Sequence, residues 1–208
     1  MTTAWTNSSV TGRNIFYEGN SIINFNAAST VTNNYYTSTQ VEIQLMAAGK
    51  YLLKNDYSKQ GWRTYDLTAD MPTTTIPRLT SNDIVVFWEI YNDLKVQGQT
   101  PAGAWTNVLA LINLVKTKGA KLIILTAIAA NKDTLRADYE VDRLAMNTIV
   151  RDNAVTYGYT VCDVAALTQF DVQADADNVT YYTDKTHLTQ AGQDLIVTQI
   201  YNSIVAIY

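Results

Sequence analysis

The sequence has 208 residues, of which 47% are apolar and only 16% are charged. Length and composition are typical of one globular domain with a sizeable core, so we predict a single domain over 1–208 with a polar N-terminal arm at 1–13. The net charge of −4 argues against nucleic acid or an anionic membrane surface as the main partner.

The apolar patterning predicts strands alternating with helices along the whole chain. The helix at 39–54 is inferred from apolar residues that recur at three- and four-residue spacing. In chain order, the predicted elements are strand 14–18, helix 39–54, strand 55–58, helix 63–70, strand 83–89, helix 101–118, strand 121–126, helix 133–154, strand 159–163 and helix 189–206.

The strand at 83–89 is the clearest of these elements, because its continuous apolar run indicates burial on both faces, as in a parallel sheet. Alternating strands and helices with right-handed crossovers give a three-layer α/β/α domain. We therefore predict a doubly wound parallel sheet of about five strands, similar to flavodoxin. Ligands of such folds bind beyond the carboxyl ends of the strands, which places Ser21, Gly61, Asn92 and the segment 184–187 at one edge.

Only one cysteine is present, Cys162, and it lies in an apolar segment. An intramolecular disulfide is therefore impossible, a zinc site with cysteine ligands is not expected, and a buried inert thiol is favoured over a reactive one. The first ten residues lack a basic start followed by an apolar run, so we expect no signal peptide. The run 122–130 is too short to span a bilayer. Cytoplasmic, virion-associated and secreted locations all fit, and the oligomeric state stays open.

His187 is the only histidine of the chain. Histidine is the usual proton shuttle at neutral pH, because its ordinary pKa lies close to neutrality. Asp184 lies three residues upstream and can orient the imidazole in a turn. The structural alternative is a helix N-terminus capped by Thr189, and a cap and a catalytic loop can share residues.

Ser21 follows the first strand and opens a turn, where a hydroxyl can be held toward solvent. A serine nucleophile needs a base, and His187 is the only imidazole available. Acyl transfer also needs donors for an oxyanion, and the candidates are the backbone N–H groups of Ser21 and Gly61 and the side-chain amide of Asn92. Each has a structural alternative: a helix cap for Ser21, a turn for Gly61 and an Asx-turn for Asn92.

Four segments resemble the conserved blocks of the SGNH hydrolases, also called GDSL-type esterases and lipases. Residues 16–22 resemble the block with the nucleophilic serine, and 55–61 the block that supplies the glycine N–H. Residues 84–94 resemble the block with the oxyanion asparagine. Residues 184–192 resemble the Asp-x-x-His block. The blocks follow the family's order over nearly the whole chain, which implies a triad of serine, histidine and aspartate and no metal or cofactor.

Two residues depart from the family pattern. Asn20 stands where the family most often has Asp, and Ile90 stands where the third block usually has Gly. The second change can alter the path of the loop before Asn92. The Gly-x-Ser-x-Gly elbow of the α/β-hydrolases is absent, so the SGNH interpretation is preferred.

The resemblance implies hydrolysis of a carboxylic ester through an acyl-serine intermediate. The substrate would be a small-molecule or glycan ester, and we favour small acyl groups such as O-acetyl on carbohydrate. Aromatic faces stack on sugar rings, and several aromatic residues are predicted near the site, although they can equally pack its rim. These candidate substrate-binding residues are Tyr57, Trp62, Tyr91, Tyr181 and Tyr182.

Charged residues near the site have two interpretations each. Glu18 and Glu89 end buried strands, where they either hydrogen-bond loop amides or contact substrate. Lys59 and Arg63 flank Gly61 and either meet a charged sugar or remain solvated surface charges.

Other functions remain open from the sequence. A catalytically inactive glycan-binding module of the same fold would retain the aromatic rim. A lipase or thioesterase would act on longer acyl chains, although no long apolar lid segment is visible. A flavodoxin-like cofactor carrier would use the loop 19–30 to hold phosphate.

Overall fold

A computed structural model describes residues 13–23, 37–50, 52–95, 98–131 and 138–208. Most of the predicted arm at 1–13 lies outside these residues, and Arg13 is already in the first strand. The strands are β1 (Arg13–Gly19), β2 (Leu52–Asp56), β3 (Ile84–Trp88), β4 (Lys121–Leu125) and β5 (Thr160–Cys162). The helices are α1 (Thr37–Ala47), α2 (Thr64–Asp70), α3 (Tyr91–Lys95), α4 (Pro101–Lys116), α5 (Tyr139–Tyr157) and α6 (Gln190–Ile207).

The strands form one parallel sheet in the order β2-β1-β3-β4-β5. Helix α1 packs against α6, and α4 packs against α2 and α5, so helices cover both faces of the sheet. The predicted three-layer α/β/α architecture is confirmed. Every residue of β3 is buried, as its continuous apolar run indicated.

The order of the strands in the sheet determines where the candidate site lies. The chain moves from β1 to its neighbour β2 in one direction, and then crosses back over β1 to β3. The connections that leave β1 and β3 therefore diverge, and a crevice opens beyond the carboxyl ends of these two strands. Ser21 follows β1 and Asn92 follows β3, so both border this crevice.

Helix α1 is shorter than predicted, and β2 begins earlier. The helix ends at Ala47, and Gly49 then takes a left-handed conformation with φ +71°. The Lys50 N–H donates to the Leu45 carbonyl at 2.8 Å, which closes the helix end. The prediction of a helix to residue 54 was wrong, because Leu52 continues the helical apolar spacing although it belongs to a strand that pairs with β1.

The other element boundaries differ less. Helix α5 is described from Tyr139, while its predicted start, 133–137, lies outside the described residues. It ends where Gly158 takes φ +66°. The five-residue helix α3 was not predicted, because it is too short to show a period. In the described part of the chain, no helix is both long and apolar enough to cross a bilayer.

Cys162 lies at the end of β5 and is buried. Burial raises the pKa of its thiol to about 12, so the thiolate is scarce at neutral pH. The prediction of a buried thiol is confirmed.

Candidate active site

The structure brings together three side chains that are far apart in the sequence. Ser21 Oγ lies 3.0 Å from His187 Nε2, although the two residues are 166 positions apart. On the other side of the ring, His187 Nδ1 lies 3.0 Å from both carboxylate oxygens of Asp184. One imidazole nitrogen thus faces a hydroxyl and the other a carboxylate, which is the geometry that general-base activation of a serine requires.

The loop that carries His187 is held by its own hydrogen bonds. Asp184 Oδ1 accepts the backbone N–H of His187 at 2.8 Å and that of Thr186 at 3.2 Å. The Thr183 N–H donates to the His187 carbonyl at 2.8 Å. Lys185 takes φ +64°, an uncommon conformation for a residue with a side chain. Asp184 therefore fixes both the loop backbone and the ring.

Helix α6 begins directly after this loop. The Thr189 hydroxyl accepts the Gly192 N–H at 3.2 Å, so the predicted N-cap is confirmed. Gly192 lies so close to the loop that a Cβ would be 2.5 Å from the Tyr181 carbonyl oxygen. A larger residue at 192 would push the loop away from the helix.

The turn that carries Ser21 is tightly packed. Gly19 pairs with Trp88 in the sheet, and a Cβ at Gly19 would be 2.4 Å from Ile23 Cγ2. The Asn20 side-chain oxygen accepts the Ile22 N–H at 2.8 Å and closes the turn around Ser21. The packing of Gly19 and the hydrogen bond of Asn20 therefore both hold the backbone that carries the Ser21 hydroxyl.

The candidate oxyanion donors lie on neighbouring loops. The Asn92 side-chain amide donates to the Trp62 carbonyl at 2.8 Å, which ties it to the loop of Gly61. The Lys59 N–H donates to the Gly19 carbonyl at 2.9 Å and ties the same loop to β1. Within the described residues, the backbone N–H groups of Ser21 and Gly61 donate no hydrogen bond, which leaves them available to a ligand.

Gly61 lies in a turn, which is the structural alternative that the sequence offered for it. Its φ is +76°, in the region that favours glycine, and a Cβ would meet nothing within 4 Å. Glycine is therefore required there by the backbone conformation, since the space around its Cα is open.

One interpretation predicted that the two buried glutamates hydrogen-bond loop amides, which holds for Glu89, whereas Glu18 bonds a hydroxyl group. Glu18 accepts the Thr75 hydroxyl, and burial raises the pKa of Glu18 to about 7. Glu89 accepts the Asn92 backbone N–H at 2.8 Å and the Asn20 side-chain N–H at 3.2 Å. Burial, and then the neighbouring Asp93, raise the pKa of Glu89 well above its usual range.

Three of the predicted substrate-binding aromatic residues make contacts within the protein. Lys59 Nζ lies 3.9 Å from the centre of the Trp62 ring, and the Tyr57 ring stacks on Phe16. Tyr91 is 7% exposed, and its hydroxyl lies 3.1 Å from Thr186 Oγ1 in the histidine loop.

Tyr182 is a structural residue. Its side chain is 2% exposed, packs on Phe170 and donates its hydroxyl to the Ala129 carbonyl at 3.0 Å. This burial contradicts the prediction that the Tyr182 ring contacts a substrate. Tyr181 stays half-buried beside Phe170.

The cations near Gly61 have carboxylate partners. Arg63 holds Asp66 through two hydrogen bonds of 2.6 and 2.8 Å, and Lys59 lies 3.5 Å from Asp70. Both cations therefore contribute to the local structure. Across the described ranges, no three His, Cys, Asp or Glu side chains converge as metal ligands would.

Sequence reasoning assigned no role to three residues of this region: Thr64, Asp93 and Thr186. Asp93 follows Asn92 directly after the buried strand β3 and is itself fully buried. The hydroxyls of Thr64 and Thr186 gave no signal, because their partners come from distant segments.

Comparison with known families gives one match. The profile of the GDSL-like lipase/acylhydrolase family matches residues 19–195. A search of curated proteins found no relative that matches this chain by sequence.

Solved structures share the fold at low sequence identity. The lipase/acylhydrolase from Enterococcus faecalis is 16% identical, with a TM-score of 0.74 over 94% of this chain and 96% of its own. The acetyl xylan esterase AlAXEase is 18% identical, with a TM-score of 0.69 over 92% of this chain and 99% of its own. A carbohydrate esterase family 3 protein from Talaromyces cellulolyticus is 17% identical, with a TM-score of 0.67 over 94% and 97%.

Proposed function

Because this chain belongs to the GDSL-like lipase/acylhydrolase family, we propose that it is a serine esterase that works through an acyl-serine intermediate. The observation that carries the proposal is the contact of Ser21 Oγ with His187 Nε2 at 3.0 Å. His187 removes the Ser21 proton while Oγ attacks the ester carbonyl carbon. The same proton then passes to the leaving alcohol as the carbon–oxygen ester bond breaks.

Water completes the reaction. His187 takes a proton from a water molecule that attacks the acyl carbon, and returns a proton to Ser21 Oγ as the carboxylic acid leaves. The Asp184 carboxylate accepts a hydrogen bond from His187 Nδ1–H and stabilises the imidazolium that forms in each half-reaction.

The oxyanion of each tetrahedral intermediate would be held by the N–H groups of Ser21 and Gly61 and by the Asn92 amide. One Asn92 N–H is used by the Trp62 carbonyl, and an amide nitrogen has a second N–H to offer. Support for this assignment comes from the lack of any other acceptor for the Ser21 and Gly61 N–H groups within the described residues.

A small acyl group is the favoured substrate portion. A crevice beside the Ser21 turn is bordered by Ile22, Ile90, Tyr91 and Ile128. Its free volume is about 10 Å³, which is near the space of one water molecule. Ile90, which replaces the usual glycine, adds bulk at this point. We infer that an acetyl group suits this crowded turn better than a long acyl chain does.

Carbohydrate is the favoured alcohol portion. Two structures of the same fold are an acetyl xylan esterase and a carbohydrate esterase. Trp62 and Tyr57 are half-buried and border the Gly61 loop, so their exposed edges are available to a sugar ring.

Two assays test the proposal. A fluorophosphonate probe should label the wild-type protein and leave Ser21→Ala unlabelled. The matched control is Ser81→Ala, which changes an exposed serine and should label fully. Wild-type protein should release acetate from acetylated xylan, and Ser21→Ala should lose at least about 1000-fold in kcat.

A chain-length series of nitrophenyl esters separates the alternatives. Acetate should be hydrolysed with a higher kcat/KM than octanoate, because the crevice is small. A preference for octanoate would indicate a lipase or thioesterase. Folded protein whose Ser21 resists the probe, but which binds acetylated xylan, would instead be a glycan-binding module.

A further inference from the structure

Glu89 lies between the nucleophile turn and the oxyanion loop. It follows β3 directly and its side chain is 1% exposed. One oxygen, Oε1, accepts the Asn20 side-chain N–H at 3.2 Å and the Asn92 backbone N–H at 2.8 Å. Asn20 in turn closes the turn that carries Ser21. A single buried oxygen therefore connects the backbones on which the nucleophile and the third oxyanion donor stand.

Asn20 and Glu89 are chemically matched. Asn20 uses its oxygen for the Ile22 N–H and its nitrogen for Glu89 Oε1. An ionised aspartate at position 20 would keep the first hydrogen bond and lose the second, because it has no N–H to donate. It would also place a carboxylate against a buried carboxyl oxygen. The amide at position 20 is thus the partner that Glu89 requires.

The second oxygen of Glu89 faces a polar cluster. Oε2 accepts the Thr64 hydroxyl at 3.2 Å, and the fully buried carboxyl group of Asp93 lies close enough to act on Glu89 by its charge. Two neighbouring buried carboxyl groups cannot both be ionised, because their charges repel in a medium of low polarity. Arg63 is the charged group that faces this pair, and its guanidinium is held by Asp66.

The pKa directions agree with one shared proton. Burial, and then Asp93, raise the pKa of Glu89 well above its usual range. Burial also raises the pKa of Asp93, while Thr64 and Glu89 oppose this. Both directions fit a pair of carboxyl groups that shares one proton, and the proposal places that proton on Glu89.

We propose that Glu89, kept as a neutral acid by its burial beside the carboxyl group of Asp93, is the positioning residue that fixes Asn20 beside Ser21 and Asn92 in the oxyanion site. The proposal rests on the proposed ester hydrolysis. A neutral acid is suited to this place, because its carbonyl oxygen accepts two N–H groups and its other oxygen lies beside the Thr64 hydroxyl without adding a second buried charge next to Asp93.

Glutamine has the same donor and acceptor arrangement as the neutral acid, so substitutions at Glu89 give a sharp test. Glu89→Gln should keep kcat on nitrophenyl acetate within about threefold, because every hydrogen bond has a counterpart. Glu89→Leu should lower kcat by about 100-fold with little change in KM, because the reacting groups are misplaced rather than removed. Circular dichroism gives the folded fraction of each variant, and kcat is normalised to it.

Asn20→Asp tests the other half of the contact and restores the residue that is usual in the family. It should lower kcat at pH 8 by about tenfold, because the hydrogen bond to Glu89 is lost and a buried carboxylate is added. The matched control is Asn82→Asp, the same change at an exposed position, which should leave kcat unchanged.

Three results overturn the proposal: unchanged kcat in Glu89→Leu, unchanged kcat in Asn20→Asp, or Glu89→Gln as impaired as Glu89→Leu. The protonation of Glu89 has a readout that needs no reaction. In carbon-13 NMR spectra, the Glu89 carboxyl resonance is identified as the one that Glu89→Gln removes. At pH 7 its chemical shift should be that of a protonated acid. The chemical shift of an ionised carboxylate would also overturn the proposal. Absence of both probe labelling and ester hydrolysis in wild-type protein would refute the proposed function instead.

Discussion

Gly19→Ala is expected to damage both stability and activity, since this glycine sits where β1 turns toward Ser21. The backbone of Gly19 is not in the left-handed region, so an alanine can adopt its conformation. Without new contacts, a change from glycine to alanine stabilises a protein by about 0.4–1 kcal/mol, because alanine lowers the conformational entropy of the unfolded chain. Contacts therefore decide the sign of the effect.

Those contacts are unfavourable. The new methyl group would lie 2.4 Å from Ile23 Cγ2 and 2.8 Å from the Trp88 carbonyl oxygen, whereas nonbonded carbon atoms prefer about 3.5–4 Å. Trp88 belongs to the buried strand β3 and pairs with Gly19 itself, so it has little freedom to move. Overpacking of this kind costs about 1–3 kcal/mol, which exceeds the gain from the unfolded chain. Relief comes most easily from a shift of the Ser21 turn.

Urea unfolding and steady-state kinetics together measure the outcome. Gly19→Ala should lower the free energy of unfolding by about 1–2 kcal/mol. It should also lower kcat by about 100-fold, since a shift of about 1 Å at a reacting group has that effect. The matched control is Gly103→Ala in helix α4, where a Cβ has its nearest neighbour at 3.5 Å. The control should be more stable by about 0.5–1 kcal/mol. A Gly19→Ala variant as stable and active as the wild type would refute the packing argument.

Two further substitutions test the site and its surroundings. Asn92→Ala should lower kcat by about 100- to 1000-fold with little effect on KM, as expected for an oxyanion donor, while the exposed control Asn82→Ala stays at wild-type kcat. Burial raises the pKa of Glu18 from 4.5 to about 7, so ionisation of this carboxyl group is unfavourable in the folded protein. Its contribution to the free energy of unfolding is therefore fully present below pH 4.5 and is lost as the pH rises to about 7. Urea unfolding at pH 4.5 and 8 should therefore show wild-type protein losing about 3 kcal/mol relative to Glu18→Gln, and parallel pH curves for the two proteins would contradict this account.

The family and the fold were predictable from the sequence. Period-two and period-3.6 patterns identify strands and helices locally, and continuous apolar runs such as β3 report burial on both faces. The short blocks around Ser21, Asn92 and His187 carry the family resemblance, which the profile match confirms. Asp184 and His187 are neighbours in the chain, so their contact followed from local spacing. Roles for these residues stay predictions until the variants are measured.

Contacts between distant segments were decided by the tertiary structure. The distance from Ser21 to His187, the burial of Tyr182 and the end of α1 before Leu52 all depend on which segments meet across the sheet. The Glu89 cluster is the clearest example, because a carboxyl group between two loops gives no periodic signal in the sequence. Local patterns determine the elements, whereas hydrogen-bond partners and protonation depend on burial, which exists only once the chain has folded.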